Sequence, residues 1–492
     1  MSTSINLYTG ITSKLWWLNI LLALFVIFFG RKKPQSTVIW VMIMTFLPVV
    51  GFFFYLLLGQ DYKKNKMFSM KKNQDKFIKN FVGFQEENIE TGKFFENHPE
   101  LEEYEQLLSM NLKSDEAFIT KDNHVKFFFW GDDKYKNLFE DIKDAKSSID
   151  VEYYIFKKDG LGERFLDLLT QKAKDGVKVR LLVDGYGGGK SLQPKDVKKF
   201  KQAEGKFCQF FPPTFGIKFL NFRLNYRNHR KIVVIDNKIA YVGGFNVGDE
   251  YLGLNKRMGN WRDTHLRIKG QAIYGLKIRF LKDWYYSTNE DASQNENGEE
   301  YIPLSGSEDY DVPMQIITSG PDTENTNIKN TMLKLFSMAK EEIIIQTPYF
   351  IVDEAITDAL KIAILSGIKV KIMIPSKPDH PFIYWATTSW LGELIEAGAE
   401  VYIYDNGFLH AKVTMVDGLV STVGSANMDL RSFSLNFEAN AVIYDRHTNK
   451  QLKEQFENDL KQSRLLTKEL YRNRSAIIKI KESFSRLLSP LL

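Results

Sequence analysis

Cysteine is almost absent from this chain of 492 residues, and that scarcity limits its chemistry. Cys208 stands alone, so neither an intramolecular disulfide nor a cysteine-based metal site can form. The seven histidines include no H-E-x-x-H pattern, which a zinc protease would show. We therefore expect no metal and no cofactor.

An excess of one charge is also missing. The chain has 66 basic and 61 acidic residues and a formal net charge of +5. This net charge is too small to indicate a protein whose whole surface binds nucleic acid. One glycine-rich stretch, DGYGGGKS at 184–191, resembles a phosphate-binding loop. Asp184 stands where the G-x-x-x-x-G-K-[ST] pattern requires glycine, so we expect no nucleotide as partner. Because of the small net charge, we also expect no nucleic acid as partner.

The N-terminal region, by contrast, has long apolar runs without charge. Residues 15–30 and 37–60 carry no Asp, Glu, Lys or Arg. A membrane-spanning helix needs about 20 apolar residues, and the second run is long enough while the first is near the limit. No small-residue cleavage site follows the first run, which disfavours a signal peptide. We predict a two-helix transmembrane hairpin over residues 1–60, with spans at about 14–30 and 37–59.

The basic residues around these runs indicate an orientation. RKKPQS between the runs has three positive charges, and DYKKNKMFSMKK after the second has five. Because the more basic side usually faces the cytoplasm, we expect a multi-pass cell-membrane protein with both termini and the catalytic domains inside.

Beyond the apolar runs, the chain divides into a connector and two similar halves. Residues 61–115 read as a charged juxtamembrane connector with some helix. In each later half a β-branched strand, a helix, a glycine turn and an apolar strand follow one another, which is the pattern of a βαβ unit. We predict an α/β fold with a duplicated domain, over 116–300 and 301–492, joined in the polar stretch 287–301.

One polar pattern occurs once in each half. Residues 228–236, NHRKIVVID, and 409–417, LHAKVTMVD, share the spacing H-x-K-x4-D. If these stretches are strands, the histidine and lysine of each copy share a face. Together they suit a phosphate, because imidazole can act as nucleophile or acid and the ammonium group is a compact positive charge. The candidate catalytic residues are His229, Lys231, Asp236, His410, Lys412 and Asp417.

The two aspartates differ from the other four residues. Each lies an odd number of positions from its histidine and precedes a turn. Within the motif we therefore expect Asp236 and Asp417 to fix the turn and its local hydrogen bonds.

A second set of matched residues follows each motif. Glycine permits close backbone approach or a positive φ, an asparagine amide can donate to phosphate oxygens, and a carboxylate can accept the N–H of a histidine ring. The candidate supporting residues are Gly243, Asn246 and Asp263 in the first half, and Gly424, Ser425, Asn427 and Glu438 in the second.

The paired motifs resemble those of the phospholipase D superfamily, and the order of the parts is similar to its bacterial cardiolipin synthase family. The resemblance rests on the apolar N terminus, YRNHRKIVVIDNKIAYVGGFNVGDEYLG, WRDTHLR, GFLHAKVTMVDG and VGSANMDLRSFSLNFEAN. It implies two phospholipase D-like domains, each a mixed β-sheet flanked by helices, that face each other across a pseudo-two-fold axis.

The resemblance also implies a reaction. One phosphatidylglycerol would donate its phosphatidyl group to His229, with glycerol leaving, and a second phosphatidylglycerol would accept it to give cardiolipin. His410 would act as general acid and then base, although the two roles could be exchanged. The lysines and asparagines would hold the phosphate oxygens without a divalent metal.

Other interpretations stay open. A hydrolytic phospholipase D, a nuclease or transfer to another alcohol would use the same residues, and an inactive membrane-tethered scaffold is a remote alternative. The C-terminal stretch 475–492 mixes basic and apolar residues and could lie on lipid or pack on the second domain. The sequence does not indicate an oligomeric state.

Overall fold

The computed structural model describes most of the chain. The described residues are 16–24, 26–28, 34–47, 50–58, 72–96, 98–188, 191–212, 226–291, 311–377, 379 and 381–489. The predicted junction at 287–301 therefore falls largely outside them.

The apolar N terminus is helical, but its second run is divided. Residues 16–24 and 26–28 are helical, and Pro34–Phe46 and Val50–Leu58 form two helices where we expected one span. The sequence has a proline at position 48, and proline lacks the N–H that a helix interior requires. Within the described part of the chain, no helix combines the length and apolar character needed to cross a membrane. The predicted transmembrane hairpin is thus not supported.

The connector is helical and partly buried. Its helices are Lys72–Glu90 and Glu105–Asp115, with 3-10 turns at Lys93–Glu96 and Pro99–Tyr104. Leu107, Leu108 and Leu112 are buried in the same core as the helices of the second half. The sequence predicts a charged connector with some helix, but it does not predict that one face of this helix is buried against the second half.

The first half is built on a seven-stranded mixed sheet in the order β1-β9-β7-β6-β2-β3-β4. Its strands are β1 Asn123–Phe128, β2 Ser148–Tyr153, β3 Lys178–Asp184, β4 Lys206–Phe210, β6 Ile232–Ile235, β7 Ile239–Gly243 and β9 His265–Gly270, and the short strands β5 Arg227–Asn228 and β8 Trp261–Arg262 lie outside it. Its helices are Gly131–Asp144, Gly160–Lys174, Pro194–Gln202 and Ile273–Thr288, with a 3-10 turn at Asp249–Leu252.

The second half repeats this architecture, with its main strands in the order β10-β19-β17-β16-β11-β13-β14-β20. They are β10 Met314–Ser319, β11 Glu342–Gln346, β13 Lys369–Pro375, β14 Glu400–Tyr404, β16 Val413–Val416, β17 Val420–Gly424, β19 Asn436–Tyr444 and β20 Ser463–Leu465; the short strands are β12 Phe350–Ile351, β15 Phe408–Leu409 and β18 Met428–Asp429. Its helices are Asn327–Met338, Glu354–Leu365, Pro381–Ala397, Leu430–Ser434, Arg446–Leu460, Lys468–Arg472 and Ala476–Leu487.

The seven strands of the first sheet correspond in order to the first seven of the second, which carries β20 as an additional edge strand. In each, three neighbouring strands are parallel, β2-β3-β4 and β11-β13-β14, and the others pair antiparallel. This repetition confirms the predicted mixed α/β fold with duplicated domains.

The sheets pack against each other through a shared apolar core. Along β6, Ile232 and Val234 face that core, whereas Val233 and Ile235 face the helices of the first half. This alternation follows the two-residue period of a strand. Because both faces are covered, the strands read as nearly continuous apolar runs in the sequence.

Candidate active site

Each motif histidine follows a short strand that pairs with the other half of the chain. β5 pairs in parallel with the start of β19, and β15 pairs in parallel with β8. The backbone N–H of His229 donates to the carbonyl of Phe437 at 2.9 Å, and that of His410 to the carbonyl of Arg262 at 2.7 Å. The two motifs are therefore held at one boundary between the halves.

The histidine and lysine of each motif do not lie inside a regular strand. β6 begins one residue after Lys231 and β16 one residue after Lys412. The expectation that these histidines and lysines lie within a strand is therefore wrong. The chain here passes from a short strand paired with the opposite half to a long strand in its own sheet.

A carboxylate from the opposite half contacts each imidazole. Nδ1 of His229 lies 3.0 Å from Oε2 of Glu438, and Nδ1 of His410 lies 2.5 Å from Oδ2 of Asp263. A carboxylate accepts, so each Nδ1 carries the proton and Nε2 carries the reactive lone pair. The side chains of His229 and His410 keep 12% and 10% of their surface exposed, whereas both carboxylates are fully buried.

The motif lysines lie beside the histidines. Nζ of Lys231 donates to the carbonyl of His229 at 2.5 Å, and Nζ of Lys412 donates to the carbonyl of His410. Each lysine also acts electrostatically on the histidine of the other half. Both cations therefore contribute to one electrostatic site.

Burial and the lysines favour neutral imidazoles at this site. Burial, together with the charges of Lys231 and Lys412, lowers the pKa of His229, although Glu438 opposes this. The same two causes lower the pKa of His410 to about 4, against the pull of Asp263. A neutral imidazole is the form that can attack phosphorus.

The lysines are perturbed in the same direction. Burial lowers the pKa of Lys231 to about 7 and that of Lys412 to about 8, although Glu438 and Asp263 raise both values. A bound phosphodiester is an anion, so its charge would raise the pKa of both lysines and both histidines. Binding of the substrate therefore stabilises the charged form of both lysines. It also allows one of the two imidazoles to be protonated.

The motif aspartates lie at turns and bind backbone. Oδ1 of Asp236 accepts from the N–H groups of Ser147 and Ser148 at 2.7 and 2.8 Å, and Oδ1 of Asp417 accepts from those of Glu341 and Glu342 at 2.8 and 2.9 Å. Both aspartates have a positive φ of 52°. They fix the turn after the motif strand to the start of β2 or β11, as their spacing indicates.

The matched asparagines are buried and hydrogen-bonded within their own halves. Nδ2 of Asn246 donates to the hydroxyl of Tyr251 at 3.0 Å, and its Oδ1 accepts from the N–H of Ile155 at 3.1 Å. Nδ2 of Asn427 donates to Asp429 at 3.0 Å. These bonds already use part of the donor capacity that we assigned to phosphate.

Glycine at 243 and 424 is required by close packing. A Cβ at Gly243 would lie 2.5 Å from the Cα of His265, and one at Gly424 would lie 2.3 Å from the carbonyl of Ala439. Ser425 follows Gly424, and its hydroxyl donates to Oε2 of Glu438 at 2.5 Å. Ser425 therefore holds the carboxylate that holds His229.

Several site residues were missed by the sequence reasoning. The ring of Tyr154 lies 4.9 Å from that of His229, and the ring of Trp261 lies 5.2 Å from that of His410. Tyr154 directly follows β2, and side chains at the carboxyl end of a parallel strand commonly line a site. The position of Tyr154 after this strand could therefore have identified it as a site residue. Trp261 stands two residues before Asp263, and the sequence contained no separate indication that it lies at the site.

Arg230, between the motif histidine and lysine, is also part of this region and is fully buried. Its guanidinium donates to Asp283 at 2.6 Å and to the carbonyl of Glu438 at 3.2 Å. It therefore fixes the first motif to the strand that carries the orienting carboxylate. Among the described residues, no group of three or more His, Cys, Asp or Glu side chains is placed to hold a metal ion.

Two family models match the chain. The one described as "Cardiolipin synthase, PLD-like domain" matches residues 138–268 and 332–460, one match in each half. Both matches cover a motif histidine and its lysine. The chain belongs to the cardiolipin synthase family of phospholipase D-like proteins. The model described as "Phospholipase_D-nuclease N-terminal" matches residues 11–60.

Curated relatives extend the similarity over nearly the whole chain. A cardiolipin synthase of Oceanobacillus iheyensis is 48% identical over 487 residues, covering 98% of this chain and all of the relative. The major cardiolipin synthase of Bacillus subtilis is 47% identical over 96% of this chain and 97% of its own length. The predicted family and the predicted enzyme class, a phosphatidyltransferase of the cardiolipin synthase type, are confirmed.

A solved structure supports the fold alone. Phosphatidylserine synthase of Haemophilus influenzae superposes with a TM-score of 0.58 at 16% identity, over 75% of this chain and 95% of that one. The duplicated α/β architecture is therefore shared with an enzyme of distant sequence.

Proposed function

We propose that this chain joins two phosphatidylglycerol molecules to give cardiolipin and glycerol through a phosphatidyl-histidine intermediate. The observation that carries the proposal is the crossed pairing of the site. Each imidazole is held at Nδ1 by a buried carboxylate of the other half, so that both rings can present Nε2 to one phosphodiester.

In the first step, Nε2 of His229 attacks phosphorus and the bond to the glycerol oxygen breaks. His410, protonated in the complex, donates its proton to that oxygen, and glycerol leaves. Glu438 stabilises the positive charge that develops on the His229 ring. Lys231 and Lys412 stabilise the charge on the non-bridging oxygens in the pentacoordinate transition state.

In the second step, a hydroxyl of the second phosphatidylglycerol attacks phosphorus and the phosphorus–nitrogen bond breaks. His410, now neutral, takes the proton of that hydroxyl, so both histidines return to their starting forms. One phosphodiester replaces another, and the reaction needs no nucleotide. The transfer is reversible for the same reason.

We also place the N-terminal segment at the cell membrane, with the two domains in the cytoplasm. Its support is the exposure of large apolar side chains: Trp16, Trp17, Leu21 and Phe28 in the first run, and Val38, Phe46, Val50 and Phe53 in the second, are each more than half exposed. Such a surface is unfavourable in water and suits lipid. Tethering would raise the local concentration of the lipid acceptor over water.

The test is the product ratio. Detergent-solubilised full-length protein is incubated with phosphatidylglycerol, and cardiolipin, phosphatidic acid and glycerol are measured. The proposal expects cardiolipin and glycerol in equal amounts. Phosphatidic acid as the main product would make the chain a hydrolase, and addition of other alcohols would show whether the acceptor is another headgroup.

A further inference from the structure

The helix Ala476–Leu487 turns its polar side toward the protein. Glu482 and Ser485 are 3% and 0% exposed. Oε2 of Glu482 accepts from Nε of Arg474 at 2.6 Å. The helix lies along the helix Pro381–Ala397, and Arg486 forms an ion pair with Glu393 of that helix. Its inner side therefore carries buried polar groups and an ion pair.

The outer side of the same helix is apolar. Its residues Ile477, Ile480, Phe484 and Leu487, called here the apolar stripe, are 66%, 69%, 54% and 51% exposed. Spacings of three and four residues place them on one face. Helices on the surface of a soluble domain normally show the opposite arrangement, with the apolar face inside. The apolar stripe thus requires a partner outside the folded domain.

The charges beside the stripe indicate the chemistry of that partner. Lys479 and Lys481 are exposed and, at 100° per residue, fall on either side of the stripe. The only carboxylate of the helix, Glu482, points inward. A second copy of this chain would bring lysine against lysine. We infer that the apolar stripe lies on the surface of an anionic phospholipid bilayer, with the two lysines at the level of the phosphates.

The position of the stripe relative to the active site supports lipid as the occupant. Nζ of Lys481 lies 4.6 Å from the ring centre of Trp385, near the start of the helix Pro381–Ala397. Asp379, two residues before that helix, acts electrostatically on Lys412. The stripe therefore lies toward the end of the second half that carries Lys412 and the active site. The inference rests on the proposed function only in that the substrate is a membrane lipid.

The experiment measures the surroundings of position 480 in the full-length protein. In a Cys208→Ser background, Ile480→Cys is labelled with a small fluorophore and the protein is reconstituted into vesicles of phosphatidylglycerol and phosphatidylcholine. Quenching by aqueous iodide and by spin-labelled lipid is compared with that of a matched control, Ile362→Cys. Ile362 is 64% exposed on the helix Glu354–Leu365.

We expect the probe at 480 to be quenched by the spin-labelled lipid and protected several-fold from iodide relative to the probe at 362. Equal iodide quenching at both positions would overturn the inference. Protection without lipid quenching would also overturn it: if it rises with protein concentration the occupant is a second copy, and if it does not the occupant is another segment of this chain.

Two further measurements complete the test. In vesicles of phosphatidylcholine alone, quenching by lipid should weaken, and an unchanged signal would refute the anionic part of the inference. The labelled protein is also measured with His229→Ala. Because the quenching measurement needs no turnover, it tests the position of the helix separately from the catalytic activity that the product assay tests.

Discussion

Nδ1 of His410 lies 2.5 Å from Oδ2 of Asp263, a residue 147 positions earlier in the other half of the chain. His229 and Glu438 repeat this arrangement in the opposite direction. Neither half therefore holds a complete site. Each supplies one imidazole and one lysine, together with the carboxylate that orients the imidazole of its counterpart.

The crossed carboxylates give the first prediction. Asp263→Asn and Glu438→Gln should each lower kcat by about 10²- to 10⁴-fold, because an amide neither fixes the tautomer nor stabilises imidazolium. The measurement is initial cardiolipin formation at saturating phosphatidylglycerol. Asp141→Asn removes the same charge from a carboxylate that pairs with Arg267, and it should keep turnover within a few-fold. Equal losses in the control and in the site variants would contradict the assignment.

The division of labour between the histidines gives a second prediction. A phosphatidyl ester of p-nitrophenol, labelled at phosphorus, needs no proton on its leaving group. With it, His410→Ala should accumulate labelled protein, since the nucleophile remains while the base for the second step is missing. His229→Ala should give none. The reverse pattern would exchange the two roles, and no label in either variant or in the unaltered protein would argue against a covalent intermediate.

The lysines predict the pH dependence. Their pKa values, lowered by burial to about 7 for Lys231 and about 8 for Lys412, mean that positive charge is lost as pH rises through this window. We therefore expect kcat/KM for the anionic lipid to fall above about pH 7 to 8. Lys412→Arg keeps the positive charge and should move the decrease of kcat/KM to higher pH. Its maximal kcat/KM should be lower, because the planar guanidinium group has a different shape from the compact ammonium group of lysine. A profile that is flat or rises from pH 7 to 9 would refute this.

A buried carboxyl in the first half predicts a pH-dependent stability. Burial, and then Asp283, raises the pKa of Glu152 well above its usual value. In the second half, Gln346 of β11 occupies the position that corresponds to Glu152 of β2. Its amide donates to Asp459 at 2.8 Å. We therefore expect Glu152 to keep a proton beside Asp283 in the folded protein, where the second half has the amide of Gln346 beside Asp459.

The sign follows from the raised pKa. The contribution of Glu152 is complete below the pKa of the unfolded chain and is lost as pH rises toward the folded value, by up to about 1.4 kcal/mol per pH unit. Glu152→Gln should therefore be more stable than the unaltered protein, by a margin that grows from pH 5 to 8 in denaturant unfolding. The reciprocal Gln346→Glu should lose stability over the same range. Parallel stability curves for all three proteins would show that Glu152 does not hold a proton.

The sequence by itself determined the duplicated α/β pattern, the two H-x-K-x4-D motifs and the matched carboxylates Asp263 and Glu438. These features depend on spacing and local period, which are visible along the chain. It also indicated that Asp236 and Asp417 fix turns, because each precedes a turn and lies an odd number of positions from its histidine. It failed for the second apolar run, which is divided into two helices, and for the connector helix Glu105–Asp115, whose leucines are buried with the second half.

Only the tertiary structure decided which carboxylate meets which histidine. The two contacts join residues 147 and 209 positions apart, and both cross from one half to the other. It also decided that the helix Ala476–Leu487 turns its apolar side outward, since the sequence gives a helix face but not its partner. The physical reason is the same in both cases: a periodic pattern specifies a local surface, whereas the contact of two surfaces depends on how distant segments pack.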